Sequence, residues 1–214
     1  MCGGEGTRLA DSLGTRAPEK PLYPIDGEPM VDWVLNALDA SEIEQVYAAV
    51  SPATPDTRAH LRESVSIGQT PISILETPGE GYVTDLSAAL DALDRPVLTV
   101  AADLPLLTGA LVDDVLATHR AEASDGGSMT VAVPASHKER LGVSVDTVLD
   151  QDTESAELID GRNDTETMPE RIAPTGLNVV GDRTSSEMMY LTANDRLAVN
   201  VNRARDAQVV EALR

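Results

Sequence analysis

The sequence predicts an α/β fold in which helices flank a mostly parallel central β-sheet. Short runs rich in β-branched residues alternate with longer amphipathic stretches, which is the pattern of an α/β layer fold. Of the 214 residues, 42% are apolar and 24% are charged, so the chain has enough apolar side chains to build a core. This length favours a single domain over residues 1–214.

The predicted strands are short apolar runs. They are Val46–Val50, Ile72–Leu75, Val97–Ala101, Met129–Val133, Leu177–Val180 and Leu197–Val201. Apolar residues at helical spacing predict helices at Pro29–Leu38, at Asp85–Leu93, after the N-cap residue Thr108, and from about Ala204 to Leu213. Ligands of such folds bind at the carboxyl ends of the strands, so site residues are expected just after strands.

Two segments depart from this alternation. Residues 150–170 are rich in Asp and Glu without an apolar period, which favours an acidic loop or excursion over an acidic binding site. At the N-terminus, Met1 stands directly before Cys2-Gly3-Gly4, so the buried strand expected there is missing. Either the start codon is misplaced or the strand is absent. We favour a misplaced start, because losing a central strand would expose two sheet edges.

The formal net charge of −20 argues against a nucleic-acid partner, since general phosphate binding requires clustered Lys and Arg. No apolar run is long enough to span a membrane, and the N-terminus lacks the features of a signal peptide. Lysine occurs only at positions 20 and 138. This depletion, with the excess of acidic residues, indicates a halophilic protein adapted to a cytoplasm rich in salt. The expected location is therefore cytoplasmic.

The first motif that carries chemistry is the glycine-rich run GGEGTRL at residues 3–9, followed by EKPL at residues 19–22. Closely spaced glycines let backbone N–H groups approach a polyphosphate, and Arg8 and Lys20 would neutralise its charge. A glycine cluster alone is weak evidence, because turns use glycine often. Lys20 strengthens the prediction, since a lysine in a lysine-poor chain indicates a position that requires a compact ammonium group.

Asp103 follows the most apolar predicted strand. A carboxylate at the end of a central strand can hold a Mg2+ ion bound to nucleotide phosphates. The alternative is a helix N-cap, which is less favoured because Thr108 already caps the next helix. Asn200 and Asn202, at the end of the last predicted strand, could ligate the same metal or cap the final helix.

A second glycine-containing loop, residues 76–86, also joins a predicted strand to a predicted helix. Its glycines would let a flat base lie against the backbone, whose N–H and C=O groups could read the base edge. A plain connection between a strand and a helix is an equally good interpretation of these residues.

Together, the runs GGEGTRL, EKPL, AADLPLL and NVN resemble the nucleotidyltransferases with a Rossmann-like α/β domain, a group that includes molybdenum-cofactor and sugar-phosphate nucleotidyltransferases. Within it, ETPGEGYVTDL, PMVDWVLNAL and SPATPDTRAHL look most like the archaeal GTP:adenosylcobinamide-phosphate guanylyltransferases of cobalamin biosynthesis. The resemblance covers nearly the whole chain. It implies a Rossmann-like nucleotidyltransferase fold and transfer of GMP from GTP to adenosylcobinamide phosphate, giving adenosylcobinamide-GDP and pyrophosphate.

The resemblance also implies individual roles. Lys20, Arg8 and Asp103 would be catalytic, and Mg2+ would be bound by Asp103 with Asn200 or Asn202. The triphosphate would be surrounded by Gly3, Gly4, Gly6, Thr7, Arg8 and Lys20, and the base side would be lined by Thr77, Gly79, Gly81, Tyr82 and Asp85. The sequence departs from the family pattern at the missing first strand and at Arg203-Ala204, which replace the usual Thr-Pro.

Other functions stay open at this point. A related enzyme could act on molybdopterin or a sugar phosphate, and a protein with this loop could bind a nucleotide without turnover. The run ETPGEGYVTDL favours the cobinamide substrate. The choice of GTP over ATP follows from the resemblance alone, and such relatives suggest a homodimer.

Overall fold

The computed structural model describes residues 1–4, 6–14, 17–63, 66–123, 125–150, 157–162, 168–182 and 185–214. Its helices are α1 (Thr7–Leu13), α2 (Met30–Asp39), α3 (Pro55–Glu63), α4 (Tyr82–Asp91), α5 (Gly109–Glu122), α6 (Ala135–Leu141), α7 (Asp195–Ala198) and α8 (Ala204–Leu213). Its strands are β1 (Pro24–Ile25), β2 (Glu28–Pro29), β3 (Val46–Val50), β4 (Ser66–Ile67), β5 (Thr70–Glu76), β6 (Val97–Val100), β7 (Ser128–Pro134), β8 (Leu149–Asp150), β9 (Glu157–Asp160), β10 (Arg171–Val180) and β11 (Glu187–Leu191). Within these ranges, no helix has both the length and the apolar character needed to cross a membrane.

The strands form a six-stranded sheet, a three-stranded sheet and the β1–β2 hairpin. The largest sheet has the order β6-β10-β7-β11-β9, with β8 paired to β10. Strands β7 and β9 run parallel to β11, whereas the long β10 runs antiparallel to β6, β7 and β8. In the smaller sheet, β5 is parallel to β3 and antiparallel to β4. The predicted α/β fold is confirmed, and its sheet is mixed because of β10.

Elements with a strong apolar pattern lie where the sequence predicts them. Strand β3 and helix α8 have the predicted bounds. Helix α5 begins as expected, since the Thr108 hydroxyl accepts a hydrogen bond from the Leu111 N–H. The apolar faces of α2 and α5 belong to the main core, together with side chains of β3 and β7. These buried faces fix the layer of helices against the strands that carry the site.

The prediction of a last strand at Leu197–Val201 is wrong. Asn194 caps the short helix α7 by accepting a hydrogen bond from the Arg196 N–H, and an irregular segment follows. Val199 and Val201 are fully buried in a second core cluster that also contains side chains of α1 and α8. Their apolar character therefore reflects core packing, and alternation over so short a segment did not indicate a strand.

The acidic segment also differs in part from its prediction. Residues 157–160 form β9, which pairs in parallel with β11, itself unpredicted. An edge strand with only Leu158 and Ile159 between acidic residues gives little apolar signal. Residues 151–156 and 163–167 of the predicted loop lie outside the described residues.

Met1 and Cys2 lie between β3 and β6. The Met1 nitrogen donates to the Val100 oxygen at 2.8 Å, and the Ala102 N–H donates to the Met1 oxygen at 3.2 Å. On the other side, the Cys2 N–H donates to the Ala49 oxygen at 2.8 Å. The N-terminal residues therefore join the two sheets and lead directly into the glycine-rich run.

Candidate active site

The ends of β3, β5 and β6 open onto a cavity of about 690 Å³. Residues that follow these strands line it, together with the glycine-rich run. The predicted site residues in its wall are Gly3, Gly4, Gly6, Thr7, Arg8, Lys20, Gly79, Gly81, Tyr82, Asp85 and Asp103. The structure thus brings three separate motifs together at the strand ends, as expected for this fold class.

Glycine is required in the loop that leads into α1. Gly6 has a φ of 68°, and a Cβ atom added there would lie 2.7 Å from the Cβ of Lys20. The missing side chain at position 6 therefore allows Lys20 to approach the loop closely. A Cβ added at Gly4 would meet no atom within 4 Å, so the loop leaves space at this point of the cavity.

Lys20 is the central cation of the site. Its Nζ lies 2.6 Å from Asp103 Oδ2 and 2.6 Å from Asn202 Oδ1. The side chains of Lys20 and Asp103 are each 16% exposed, so this contact is largely shielded from water. Two oxygen atoms from distant parts of the chain therefore converge on one cation.

Hydrogen bonds to the backbone at residues 201 and 202 hold Asn202 in this position. The Val201 N–H donates to the backbone oxygen of Asp103 at 3.0 Å. The fully buried Asp206, in the first turn of α8, accepts hydrogen bonds from the N–H groups of Asn202 and Arg203 at 2.9 and 2.8 Å. The irregular segment that replaces the predicted strand thus places Asn202 beside Asp103. The role of Asp206 was not predicted, because residue type alone does not show whether an aspartate in the first turn of a helix is buried.

Asn200 contacts the opposite oxygen of Asp103. Its Nδ2 donates to Asp103 Oδ1 at 2.9 Å and to the Thr175 backbone oxygen at 2.8 Å, while its Oδ1 accepts from Lys138 Nζ at 2.8 Å. Only one orientation of the amide satisfies all three contacts, because a lysine only donates and a carboxylate only accepts. Asn200 is therefore fully engaged within the protein.

Lys138 is a component of the site that the motifs did not predict. It is 4% exposed, and burial lowers its pKa, an effect that the charges of Asp103, Asp206 and Asp146 oppose. The sequence did contain a signal, since Lys138 is the second of only two lysines in the chain. The reasoning applied to Lys20 would have singled it out.

Arg8 lies at the rim of the site. Its Nη1 is 3.7 Å from Asp146 Oδ2, and its side chain is 63% exposed. Asp146 also accepts hydrogen bonds from the two terminal guanidinium nitrogens of Arg203, at 2.8 and 3.1 Å. Burial raises the pKa of Asp146, but the hydrogen bond from Arg203 and the charges of Arg203, Arg8 and Lys20 outweigh burial, so its pKa is lowered. No motif marked Asp146 in the sequence, and Arg203 stood out only as a departure from the family pattern.

The loop after β5 forms another wall of the cavity. The Gly79 N–H donates to Asp85 Oδ1 at 2.7 Å, which ties the loop to the first turn of α4. Tyr82 is 53% exposed, and partial burial together with the charge of Asp103 raises its pKa. Thr77 is buried, and its N–H and hydroxyl both donate to the Val50 oxygen, so it supports the loop from behind.

Two curated relatives are similar in sequence to this chain, one along its whole length and one over part of it. The chain is 25% identical to the adenosylcobinamide-phosphate guanylyltransferase of Methanocaldococcus jannaschii over 217 aligned residues, which cover 100% of this chain and 94% of the relative. It is 32% identical over 132 residues to the bifunctional protein GlmU of Pelobacter propionicus. That alignment covers 61% of this chain and only 26% of the longer protein.

Solved structures share the fold. A CMP:2-keto-3-deoxy-manno-octonic acid synthetase complexed with CTP aligns with a TM-score of 0.61 over 93% of this chain and 92% of that chain, at 14% identity. A structure from Thermus thermophilus, described as a hypothetical transferase, gives a TM-score of 0.59 over 97% of this chain and 96% of that chain, at 17% identity. The family model for the MobA-like NTP transferase domain matches residues 1–209. The chain therefore belongs to the MobA-like NTP transferase family and is a nucleotidyltransferase enzyme.

Proposed function

We propose that this nucleotidyltransferase transfers GMP from GTP to adenosylcobinamide phosphate and releases pyrophosphate. The observation that carries the proposal is the convergence of Lys20, Asp103 and Asn202 at the glycine-lined cavity. The whole-chain similarity to the Methanocaldococcus jannaschii relative supports the choice of GTP and of this acceptor.

The residues present fit a bound Mg2+ ion. Asp103 Oδ2 and Asn202 Oδ1 already face the same cationic group at 2.6 Å, and Mg2+ is usually held by one or two such oxygens together with phosphates and waters. In the described part of the chain, no group of three or more His, Cys, Asp or Glu side chains is placed to hold a metal. When bound, Mg2+ would neutralise charge on the triphosphate.

The two asparagines would then have different roles. The amide oxygen of Asn202 faces the cation position, so Asn202 would hold the metal with Asp103. The amide oxygen of Asn200 is occupied by Lys138, and its nitrogen faces Asp103. We therefore assign Asn200 to the orientation of Asp103.

The chemistry requires no nucleophilic side chain. An oxygen of the acceptor phosphate forms a bond to the α-phosphorus of GTP, and the bond from this phosphorus to the bridging oxygen of the β-phosphate breaks. The electron pair leaves with pyrophosphate, and no proton has to move. Catalysis then consists of alignment and charge neutralisation, for which backbone N–H groups and the Lys20 ammonium are suitable.

Lys20 and Arg8 would both exchange a carboxylate for phosphate oxygens when GTP binds. Lys20 lines the cavity and is held by Asp103, so a bound cation at Asp103 would release it toward the α-phosphate. Arg8 is mostly exposed and its contact to Asp146 is long, so leaving that contact costs little.

The loop after β5 would receive the guanine base. A Cβ added at Gly81 would meet no atom within 4 Å, and Tyr82 lies half exposed beside it, so a flat ring could lie against this backbone. Asp85 would keep the loop in shape through Gly79, and Thr77 would do so through β3.

The test is pyrophosphate release from the purified chain in high KCl with Mg2+, using GTP or ATP and adenosylcobinamide phosphate as acceptor. We expect release only with GTP and the acceptor together. Equal release with ATP would contradict the base assignment. Release that requires molybdopterin or a sugar phosphate instead of the cobinamide would contradict the acceptor.

A further inference from the structure

Helix α3 begins beside the candidate active site. It follows β3 through residues 51–54, which open the run SPATPDTRAHL. The Ser51 hydroxyl donates to the Gly3 oxygen at 3.1 Å, and a Cβ added at Gly79 would lie 2.9 Å from the ring of Pro52. The segment that leads into α3 therefore contacts both the glycine-rich run and the loop after β5.

A glutamate from another part of the chain caps α3. Glu19 Oε1 accepts a hydrogen bond from the Asp56 N–H at 2.9 Å. Its Oε2 accepts from the Thr57 N–H at 2.7 Å and from the Thr57 hydroxyl at 2.6 Å. These are the first N–H groups that the helix offers, because it begins at Pro55, which has none. A carboxylate is favoured at a helix N-terminus, and Thr57 is fully buried, so little water competes for these bonds.

The cap fixes the backbone next to Lys20. The side chain of Glu19 is bound to α3, whereas the ammonium of the adjacent Lys20 contacts Asp103. A short turn begins at the same point, where the Leu22 N–H donates to the Glu19 oxygen at 2.8 Å. The described residues that line the cavity include Lys20 but not Glu19. Glu19 can therefore influence the reaction only through its neighbour.

We propose that Glu19 is a positioning residue for Lys20, because its carboxylate ties the turn that carries this lysine to the N-terminus of α3. When GTP binds, the Lys20 ammonium would exchange Asp103 for phosphate oxygens and lose its partner in the protein. The cap on α3 lies outside the cavity wall and stays in place during this exchange. The backbone of Lys20 then needs no further ordering in the transition state. The effect on catalysis rests on the proposed function, whereas the effect on the backbone at Lys20 does not.

Glu19→Gln tests this role, with Thr108→Ala as the matched control. Glutamine keeps the size of the side chain but has one acceptor oxygen and no charge. Thr108→Ala removes the cap of α5, which does not carry Lys20. Both variants should lower the melting temperature by about 2–4 °C. Only Glu19→Gln should also lower kcat for pyrophosphate release, by about tenfold or more, with little change in the KM for GTP.

A double variant separates positioning from a general loss of stability. Lys20→Ala leaves no ammonium to position, so adding Glu19→Gln to it should change kcat by less than about twofold. Thr57→Val approaches the same contact from α3 and serves if Glu19→Gln does not fold. It removes one of the three hydrogen bonds to the carboxylate, so it should lower kcat by a smaller factor.

Amide exchange gives a measurement that does not require turnover. The N–H groups of Leu22 and Tyr23 donate to the backbone oxygens of Glu19 and Lys20. They should exchange about tenfold or more faster in Glu19→Gln than in Thr108→Ala.

Equal kcat values in Glu19→Gln and Thr108→Ala, or the same loss with and without Lys20, would overturn the proposal. Unchanged exchange at Leu22 and Tyr23 would also overturn it, whether or not the chain is active. If the unaltered chain releases no pyrophosphate from GTP and the acceptor, the proposed function fails, and the exchange rates alone decide the role of Glu19.

Discussion

Replacing Lys138 by methionine tests the hydrogen bonds that fix Asp103. Lys138 is 4% exposed and donates to Asn200 Oδ1 at 2.8 Å, and Asn200 donates to Asp103 at 2.9 Å. Methionine keeps much of the side-chain length but removes the donor. The buried Asn200 oxygen is then left without this partner, which costs about 1–3 kcal/mol.

We expect the loss of this hydrogen bond to affect the turnover rate more than folding. If it disturbs the orientation of Asp103, kcat falls by about 10- to 100-fold, because 1.36 kcal/mol corresponds to a factor of ten. The KM for the nucleotide should change little, because the residues that line the described cavity do not include Lys138. The free energy of unfolding should change less than the activation free energy of the reaction. Burial already lowers the pKa of Lys138, so removing its charge relieves part of a desolvation cost.

The assay is pyrophosphate release at saturating nucleotide, with thermal melting to verify folding. Glu139→Gln, the adjacent exposed change in α6, is the matched control and should be neutral. Lys138→Arg should not restore activity, since a planar guanidinium does not replace an ammonium in so buried a position. If the two residues act as a unit, adding Lys138→Met to Asn200→Ala should cost little more than Asn200→Ala alone. Normal kcat in folded Lys138→Met, or additive losses in the double variant, would refute this reasoning.

Gly6→Ala and Gly14→Ala form a matched pair, because φ is 68° and 64° at these glycines but only at Gly6 would the new Cβ meet Lys20, at 2.7 Å. Both variants should be less stable by about 1–2 kcal/mol, because alanine is strained in this backbone conformation. Only Gly6→Ala should also weaken GTP binding in calorimetry. Equal GTP affinity in the two variants would contradict the role of the loop. Lys20→Ala and Asp103→Ala should each lower kcat by about 10²–10³-fold with normal folding, and near-normal activity in either would exclude its role. Hydrogen bonds from the side chain and backbone of the first residue of β5 hold the pKa of Asp39 below its ordinary value of 3.8. The charge of Asp39 therefore stabilises the fold above pH 3.8. This contribution disappears as the pH falls through the lowered pKa that Asp39 has in the folded state. Asp39→Asn should lower the melting temperature at pH 7 but not near pH 2, and a difference that is constant with pH would argue against this. Finally, the melting temperature should rise with KCl into the multimolar range, whereas equal stability in very low and multimolar salt would contradict adaptation to a saline cytoplasm.

The sequence allowed much of the cavity wall to be predicted, because two of its motifs follow strands. Asp103 and the loop at Gly79 come after β6 and β5, which have an apolar pattern, and strand ends meet at one edge of a sheet. Lys20 adjoins no such element, and the prediction there depended on the rarity of lysine in the chain. The resemblance to adenosylcobinamide-phosphate guanylyltransferases, based on longer runs, is confirmed by the whole-chain similarity to the Methanocaldococcus jannaschii relative.

The sequence could not separate the roles of Asn200 and Asn202. Both were expected on a strand, yet they lie on an irregular segment whose path depends on Asp103 and Asp206, which are distant in sequence or buried. Strand direction was equally hidden, since the apolar pattern of β10 is the same in either direction. Its bulge at Gly176, with a φ of 86°, brings the backbone so close to Ala101 that an added Cβ would lie 2.9 Å away. Such an approach depends on tertiary packing.

Both lysines of this acidic chain are linked to the carboxylate of Asp103. Lys20 contacts one oxygen of Asp103 directly, and Lys138 reaches the other through Asn200. The Lys20 ammonium fits between two oxygen atoms and the Lys138 ammonium donates to one, each in a largely buried position to which the wide, planar guanidinium of arginine is unsuited. Selection for a saline cytoplasm would remove lysine wherever arginine or an acidic residue serves as well. The two lysines that remain would then mark positions where neither does, and they reach the carboxylate that we assign to the metal directly or through Asn200.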